Sequence, residues 1–127
     1  MDVIKVKNFA KKFGNKVVHK DITLNVHQGE CLGLIGGSGA GKSVILRTLI
    51  GLEKPDHGEI YIEGEEISGK SEKELIPIRI KVAYVFQNGA LFDSMSVYDN
   101  LAYPLREHTP YSEQDISKKI MSTLNEF

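Results

Sequence analysis

The sequence predicts an α/β fold with an antiparallel β part at its N-terminus, on three observations. Ile4 and Val6 alternate with Lys5 and Lys7, and Ile22, Leu24 and Val26 alternate with Thr23 and Asn25. A period of two marks strands with one face buried. Residues 31 to 35, CLGLI, form a short apolar run that leads directly into GGSGAGKS, as a strand covered on both faces would lead into a glycine-rich turn. From residue 42 to residue 50 the apolar spacing becomes helical, and Gly51 stands as a stop signal.

The elements follow in order. KKFGN turns the first strand into a second, residues 17 to 26, and HQG turns that strand toward CLGLI. Asp56-His57-Gly58 is a turn, residues 59 to 62 are a short strand, and Glu63-Gly64 turns out of it. Ser71 and Glu74 form S-x-x-E, the capping box of a short helix that Pro77 interrupts or kinks. Residues 82 to 86, VAYVF, read as a strand ending at Gln87, followed by an irregular loop to Ser96. Residues 97 to 105 read as a helix until Pro104. The last segment, SEQDISKKIMSTLNEF, is a helix capped by Ser112 with Asp115, with Ile116, Ile120, Leu124 and Phe127 on one face. That face has no evident partner in the sequence, and no glycine closes the helix.

At 127 residues the chain suits one small domain, and its net charge of -1 gives no basic excess that would argue for nucleic acid. The single cysteine, Cys31, cannot form an internal disulfide, and its place in CLGLI predicts a buried, inert thiol. His19, His27, His57 and His108 lack ligand spacing and read as surface or turn residues. Lysines break every apolar run of the N-terminus, which therefore lacks the apolar region of a secretory signal, and no stretch is long enough to span a bilayer. The expected location is cytoplasmic, with any membrane role exercised through a partner.

Two segments fit the phosphate-loop pattern G-x-x-x-x-G-K-[ST]: GGSGAGKS at residues 36 to 43 and GEEISGKS at residues 64 to 71. Such a loop turns backbone N–H groups around an anion at the start of a helix, so it needs small residues and no nearby carboxylate. The first match has Gly37, Ser38, Gly39 and Ala40 between an apolar strand and a helix. The second has Glu65, Glu66 and β-branched Ile67 in the same places, and the local reading accounts for it: Ser71 caps a helix and Lys70 faces solvent. In the first match, backbone N–H groups of about residues 39 to 44 would wrap the β-phosphate. Lys42 would reach the β- and γ-phosphates, and Ser43 would ligate the Mg²⁺ that accompanies the nucleotide. These roles are common to kinases, GTPases, motors and transporters, so the loop alone does not choose among them.

The surroundings of the loop resemble the ATP-binding subunits of ABC transporters across the whole chain. KKFG precedes the loop, GLEKPDHGEIYIEG follows it, and VAYVFQ and SVYDNLAYPLRE come after. The resemblance implies the P-loop NTPase fold of the ABC ATPase type, with an incomplete core sheet. It implies a nucleotide site of Phe13, Gly36, Gly37, Ser38, Gly39, Ala40, Gly41, Lys42, Ser43, Val44 and Gln87. Phe13 takes the place of the aromatic that stacks on adenine. Gln87 takes the place of the Q-loop glutamine near Mg²⁺ and the attacking water, so that Ser43 and Gln87 are the expected metal contacts. Lys42 and Gln87 would contribute to an otherwise incomplete catalytic set. QNGALFDSMSVYDNLAYPLREH looks most like the ATPases of Mla-type systems, which move phospholipids to maintain outer-membrane asymmetry, and importers of small solutes share much of it. Two positions depart from the family pattern: Gly37 stands where proline is common, and Val44 stands where a threonine hydroxyl would approach the α-phosphate.

The family's LSGG signature, its Walker B strand ending in Asp-Glu, and its switch histidine have no counterpart in these residues. The chain therefore resembles the N-terminal portion of such a subunit, with residues 1 to 105 carrying the β subdomain and core and residues 106 to 127 beginning the helical subdomain. The implied partners are ATP with Mg²⁺, integral-membrane permease subunits, and a second ATP-binding subunit in a dimer. This portion alone is expected to be poorly stable and to lack steady-state ATPase activity, and the strand at residues 31 to 35 is expected to lack a neighbour. Three other readings stay open. One is a non-catalytic fragment with weak or no nucleotide binding, and another is the ATP-binding subunit of a small-solute importer. The third is a different P-loop enzyme, although a guanine-reading N-K-x-D motif is absent.

Overall fold

The alternating N-terminal residues fold into a hairpin of two long antiparallel strands, β1 (Asp2–Phe13) and β2 (Lys16–His27), with Phe13 opposite Lys16 across the two-residue turn. β3 (His57–Ile62) pairs antiparallel with the other edge of β1, placing Ile4 opposite Ile62 and Val6 opposite Ile60. Glu63 and Gly64, at φ 49° and 82°, turn the chain back into the short strand β4 (Glu65–Glu66), and the sheet order is β2-β1-β3-β4. Positive φ at both central residues is the turn that matches the natural twist of a hairpin. The computed structural model describes all residues 1–127, in two compact units, Met1–Ala83 and Tyr84–Phe127.

In the first unit, one face of the sheet is covered by α1 (Lys42–Leu49) and α2 (Glu72–Lys81). Val6, Phe9, Ile60 and Ile62 from the strands meet Ile45 of α1, Ile67, and Leu75 and Ile78 of α2 in a single buried cluster. Each such side chain contributes roughly 1.5–3 kcal/mol on leaving water. The capping box of α2 is formed, with the Ser71 N–H donating to Glu74 Oε2 at 2.9 Å. Pro77 lies inside α2 without ending it. It forgoes the bond to the carbonyl four residues earlier and its ring crowds that carbonyl, while Leu75 and Ile78 on either side are each 1% exposed and hold the backbone to the core. Arg79 of α2 donates to the carbonyls of Ile50 and Gly51 at 2.9 and 3.2 Å, satisfying acceptors that the end of α1 leaves unpaired.

The second unit holds α3 (Val97–His108) and α4 (Glu113–Leu124). The α4 face does have a partner: Ile116 and Ile120 pack with Ala102 of α3, flanked by Tyr98 and Leu105. Only the first half of the expected stripe is covered, because Leu124 and Phe127 are exposed. Ser112 caps α4 by accepting from the Asp115 N–H, as its sequence predicts. α3 runs past Pro104 to His108 rather than stopping there. Its last turn is held by Leu105 against α4, by Arg106 bridging Asp99 and Glu113, and by Thr109 donating twice to the Leu105 carbonyl. Before α3, the side-chain amide of Asn100 binds Phe92, Met95 and Ser96, which orders the predicted loop.

Two predicted strands are not strands. Residues 31–35 and 82–86 have no ladder partner, because the sheet contains only β1 to β4. Apolar patterning marks a segment able to pair, but pairing itself is a long-range event. For residues 31–35 the lack of a neighbour is the expected outcome, and Ile35 is 100% exposed. The same absence corrects the reading of Cys31, whose thiol is exposed rather than buried.

Candidate functional site

GGSGAGKS forms a loop that turns at residues 37 to 40, where the Ala40 N–H donates to the Gly37 carbonyl at 3.2 Å, and then enters α1. Gly39 and Gly41 have φ of 77° and 88°, a region in which a Cβ meets the backbone, so glycine is the residue suited to these two points. The Gly41 carbonyl accepts from the N–H groups of Val44 and Ile45, closing the first turn of α1. The N–H groups of Lys42 and Ser43 precede that turn and have no intrahelical acceptor. No acidic residue lies in the first turn of α1, so the positive end of the helix dipole is uncompensated. Lys42 bends back and donates to the carbonyls of Gly36 and Gly37 at 2.5 and 2.9 Å, which places its ammonium inside the loop.

An open cleft of about 320 Å³ joins this loop to the tip of the β1–β2 hairpin, lined by Phe13, Lys16, Val18 and the consecutive residues 39 to 44. The lining carries two ammonium groups and no carboxylate. Phe13, 45% exposed, presents its ring there. The structure thus brings together Phe13, Gly39, Ala40, Gly41, Lys42, Ser43 and Val44. Gly36, Gly37 and Ser38 are exposed at the entry to the loop, outside the lining. Gln87 belongs to the other unit, where it is exposed in a turn closed by the Gly89 N–H donating to the Phe86 carbonyl.

Three residues of this region escaped the sequence reading. Lys16 and Val18 line the cleft from β2, and the hairpin register could have found them, since Lys16 faces Phe13 across the turn. His19 is not the surface histidine its spacing suggested. It is half-buried on β2, its ring tilted on Phe9 at 5.5 Å and its Nε2 2.9 Å from the Gly41 carbonyl. That contact spans 22 residues and has no local signal.

The second match, GEEISGKS, has a different job. Glu65 and Glu66 form β4, Ile67 is 2% exposed in the core, and Ser71 caps α2. Lys70 does not face solvent freely but pairs with Glu65 at 2.9 Å. The N–H groups of Ser68 and Ser71 already donate to the Glu66 and Glu74 carboxylates, at 2.7 and 2.9 Å, and that of Ile67 to the Ile60 carbonyl, so they are not open to a phosphate.

The donor set of the cleft fits a polyphosphate: Lys16, Lys42 and the first residues of α1 are in its lining, and small residues leave it open. For a cation, Ser43 supplies a hydroxyl oxygen, while no group of three or more His, Cys, Asp and Glu side chains could hold a metal ion. Mg²⁺ suits that arrangement, because it keeps waters and is commonly held by one or two protein oxygens plus substrate phosphates.

Residues 19–127 match the ABC transporter family. Among similar proteins, "Probable ribonucleotide transport ATP-binding protein mkl" of Mycobacterium leprae (strain TN) is 48% identical over 95% of this chain and 35% of its own length. "Methionine import ATP-binding protein MetN" of Mesorhizobium japonicum is 43% identical over 89% of this chain and 31% of its own. "Intermembrane phospholipid transport system ATP-binding protein MlaF" of Escherichia coli (strain K12) is 37% identical over 97% of this chain and 46% of its own. Among solved structures, "Dimeric Structure of MJ0796, a Bacterial ABC Transporter Cassette" superposes with a TM-score of 0.87 at 32% identity, covering 96% of this chain and 56% of that one. The chain thus spans about a third to a half of the length of these curated relatives.

Proposed function

The chain belongs to the ABC transporter family, and from that premise we propose that it binds Mg-ATP in the cleft between Phe13 and the loop at residues 36 to 44, as part of the nucleotide-binding subunit of a transporter. The observation that carries this reading is the cleft itself, in which an exposed aromatic ring and a cationic, carboxylate-free phosphate loop share one lining. Phe13 offers a face for the adenine ring. The N–H groups of Lys42 and Ser43 and the Lys42 ammonium bind and orient the phosphates. Ser43 would hold Mg²⁺ with the phosphate oxygens and water, and Gln87 keeps only the role that the family resemblance implies for it. When bound, the metal neutralises phosphate charge.

Hydrolysis is proposed for the dimeric assembly and not for these residues alone, since no signature or Asp-Glu strand occurs among them. Permease subunits would then tie the domain to the inner face of the membrane. No helix of the chain is long and apolar enough to cross a membrane itself. For the cargo we favour phospholipid, supported by QNGALFDSMSVYDNLAYPLREH and by the likeness to MlaF over 97% of the chain. The similarity to the MetN protein favours a small solute as the second reading.

Calorimetric titration of the chain with Mg-ATP and Mg-GTP tests the binding reading. Saturable, adenine-preferring binding is expected. Absence of binding, or preference for GTP, would return the chain to the fragment or guanine-nucleotide readings.

A further inference from the structure

One oxygen atom joins the hairpin to the phosphate loop. The Gly41 carbonyl accepts from the N–H groups of Val44 and Ile45 at 3.0 and 3.2 Å, and His19 Nε2 lies 2.9 Å from the same oxygen. A carbonyl only accepts, so this geometry requires the imidazole to carry a proton on Nε2 and donate it. The ring cannot swing away freely, because it is half-buried and tilted on Phe9, which is 0% exposed. β2 also presses on the glycine from the side: a Cβ at Gly41 would collide with Val18 and His19. The peptide that starts α1 is therefore set by a side chain from a strand 22 residues earlier.

We propose that His19 is a positioning residue of the phosphate loop. Its Nε2–H holds the Gly41 peptide in the orientation that turns the N–H groups of Lys42 and Ser43 into the cleft, and so fixes the loop relative to the aromatic end of the site on the same hairpin. This inference rests on the nucleotide-binding reading given above. A histidine that merely packed on Phe9 would need no polar contact with the loop, and a leucine would replace it.

Two variants separate these roles. His19→Leu keeps bulk against Phe9 and removes the donor; His19→Gln keeps an N–H at similar reach. The expected result is Mg-ATP binding about tenfold weaker in His19→Leu, the loss of roughly one hydrogen bond, and within about twofold of the parent in His19→Gln. Melting midpoints without nucleotide should stay alike in the two variants. Should His19→Leu fail to fold, His19→Asn, an amide too short to reach Gly41, takes its place. Parent-like binding in the donor-less variant, or equal loss in both variants, overturns the proposal. If the parent chain binds no Mg-ATP, the nucleotide reading falls, and His19 is then judged by NMR. The Gly41 carbonyl carbon and the Val44 and Ile45 amides should shift in His19→Leu and return in His19→Gln. Unmoved resonances would overturn the positioning role.

Discussion

The ammonium of Lys11 lies 5.1 Å from the centroid of the Phe13 ring and also donates to the Lys54 carbonyl at 2.6 Å. One cation thereby ties the hairpin tip to the segment after α1 and steadies the ring that borders the cleft. If that ring receives adenine, Phe13→Ala should weaken Mg-ATP binding by about 1 kcal/mol, near fivefold, and Phe13→Trp should restore it. Titration calorimetry reads both. Unchanged affinity in the alanine variant would reduce Phe13 to a packing residue of the turn.

Val44 lines the cleft in the first turn of α1. A hydroxyl there adds one contact to bound phosphate, so Val44→Thr should tighten Mg-ATP binding by about 0.5–1.5 kcal/mol, two- to tenfold. Weaker or equal binding would mean that residue 44 does not face the ligand.

Ser71 and Glu74 cap α2, far in role from the loop whose sequence theirs imitates. Ser71→Ala should lower unfolding stability by about 1 kcal/mol and leave Mg-ATP affinity unchanged, as denaturant titration and calorimetry would register. The Ser71 hydroxyl and then its N–H hold the Glu74 carboxyl below its ordinary pKa. A depressed carboxyl stabilises the fold above its unfolded pKa, and the gain disappears as pH falls through the lower, folded value. The parent chain should therefore lose stability on acidification more steeply than Ser71→Ala.

Ile35 is 100% exposed in an apolar segment without a ladder partner. Such a segment invites association between chains. Ile35→Lys should reduce light scattering on warming of this chain and shift its unfolding free energy by no more than about 0.5 kcal/mol. Undiminished scattering would place the sticky surface elsewhere.

What was legible in the sequence was what is local. The strands with alternating lysines, the helix after GGSGAGKS, the Ser71–Glu74 box and the Ser112 cap each depend on residues within a few positions of one another. Phe13 and the loop were legible as site candidates because the resemblance runs through both. Residues 31–35 and 82–86 were misread because a strand is completed by a distant neighbour. Pro104 was misread because α4 and Arg106 hold the helix beyond it. His19 was missed because its value lies in a carbonyl on another element.

The most direct test compares melting of the chain with and without Mg-ATP in three forms: the parent, Lys42→Ala and Lys70→Ala. A ligand that binds only the folded state must raise the midpoint, by roughly 5 °C or more at a hundredfold excess over Kd for a chain of this size. That rise is expected in the parent and in Lys70→Ala, and its loss in Lys42→Ala. A rise that survives Lys42→Ala, or no rise in the parent, would contradict nucleotide binding at this loop.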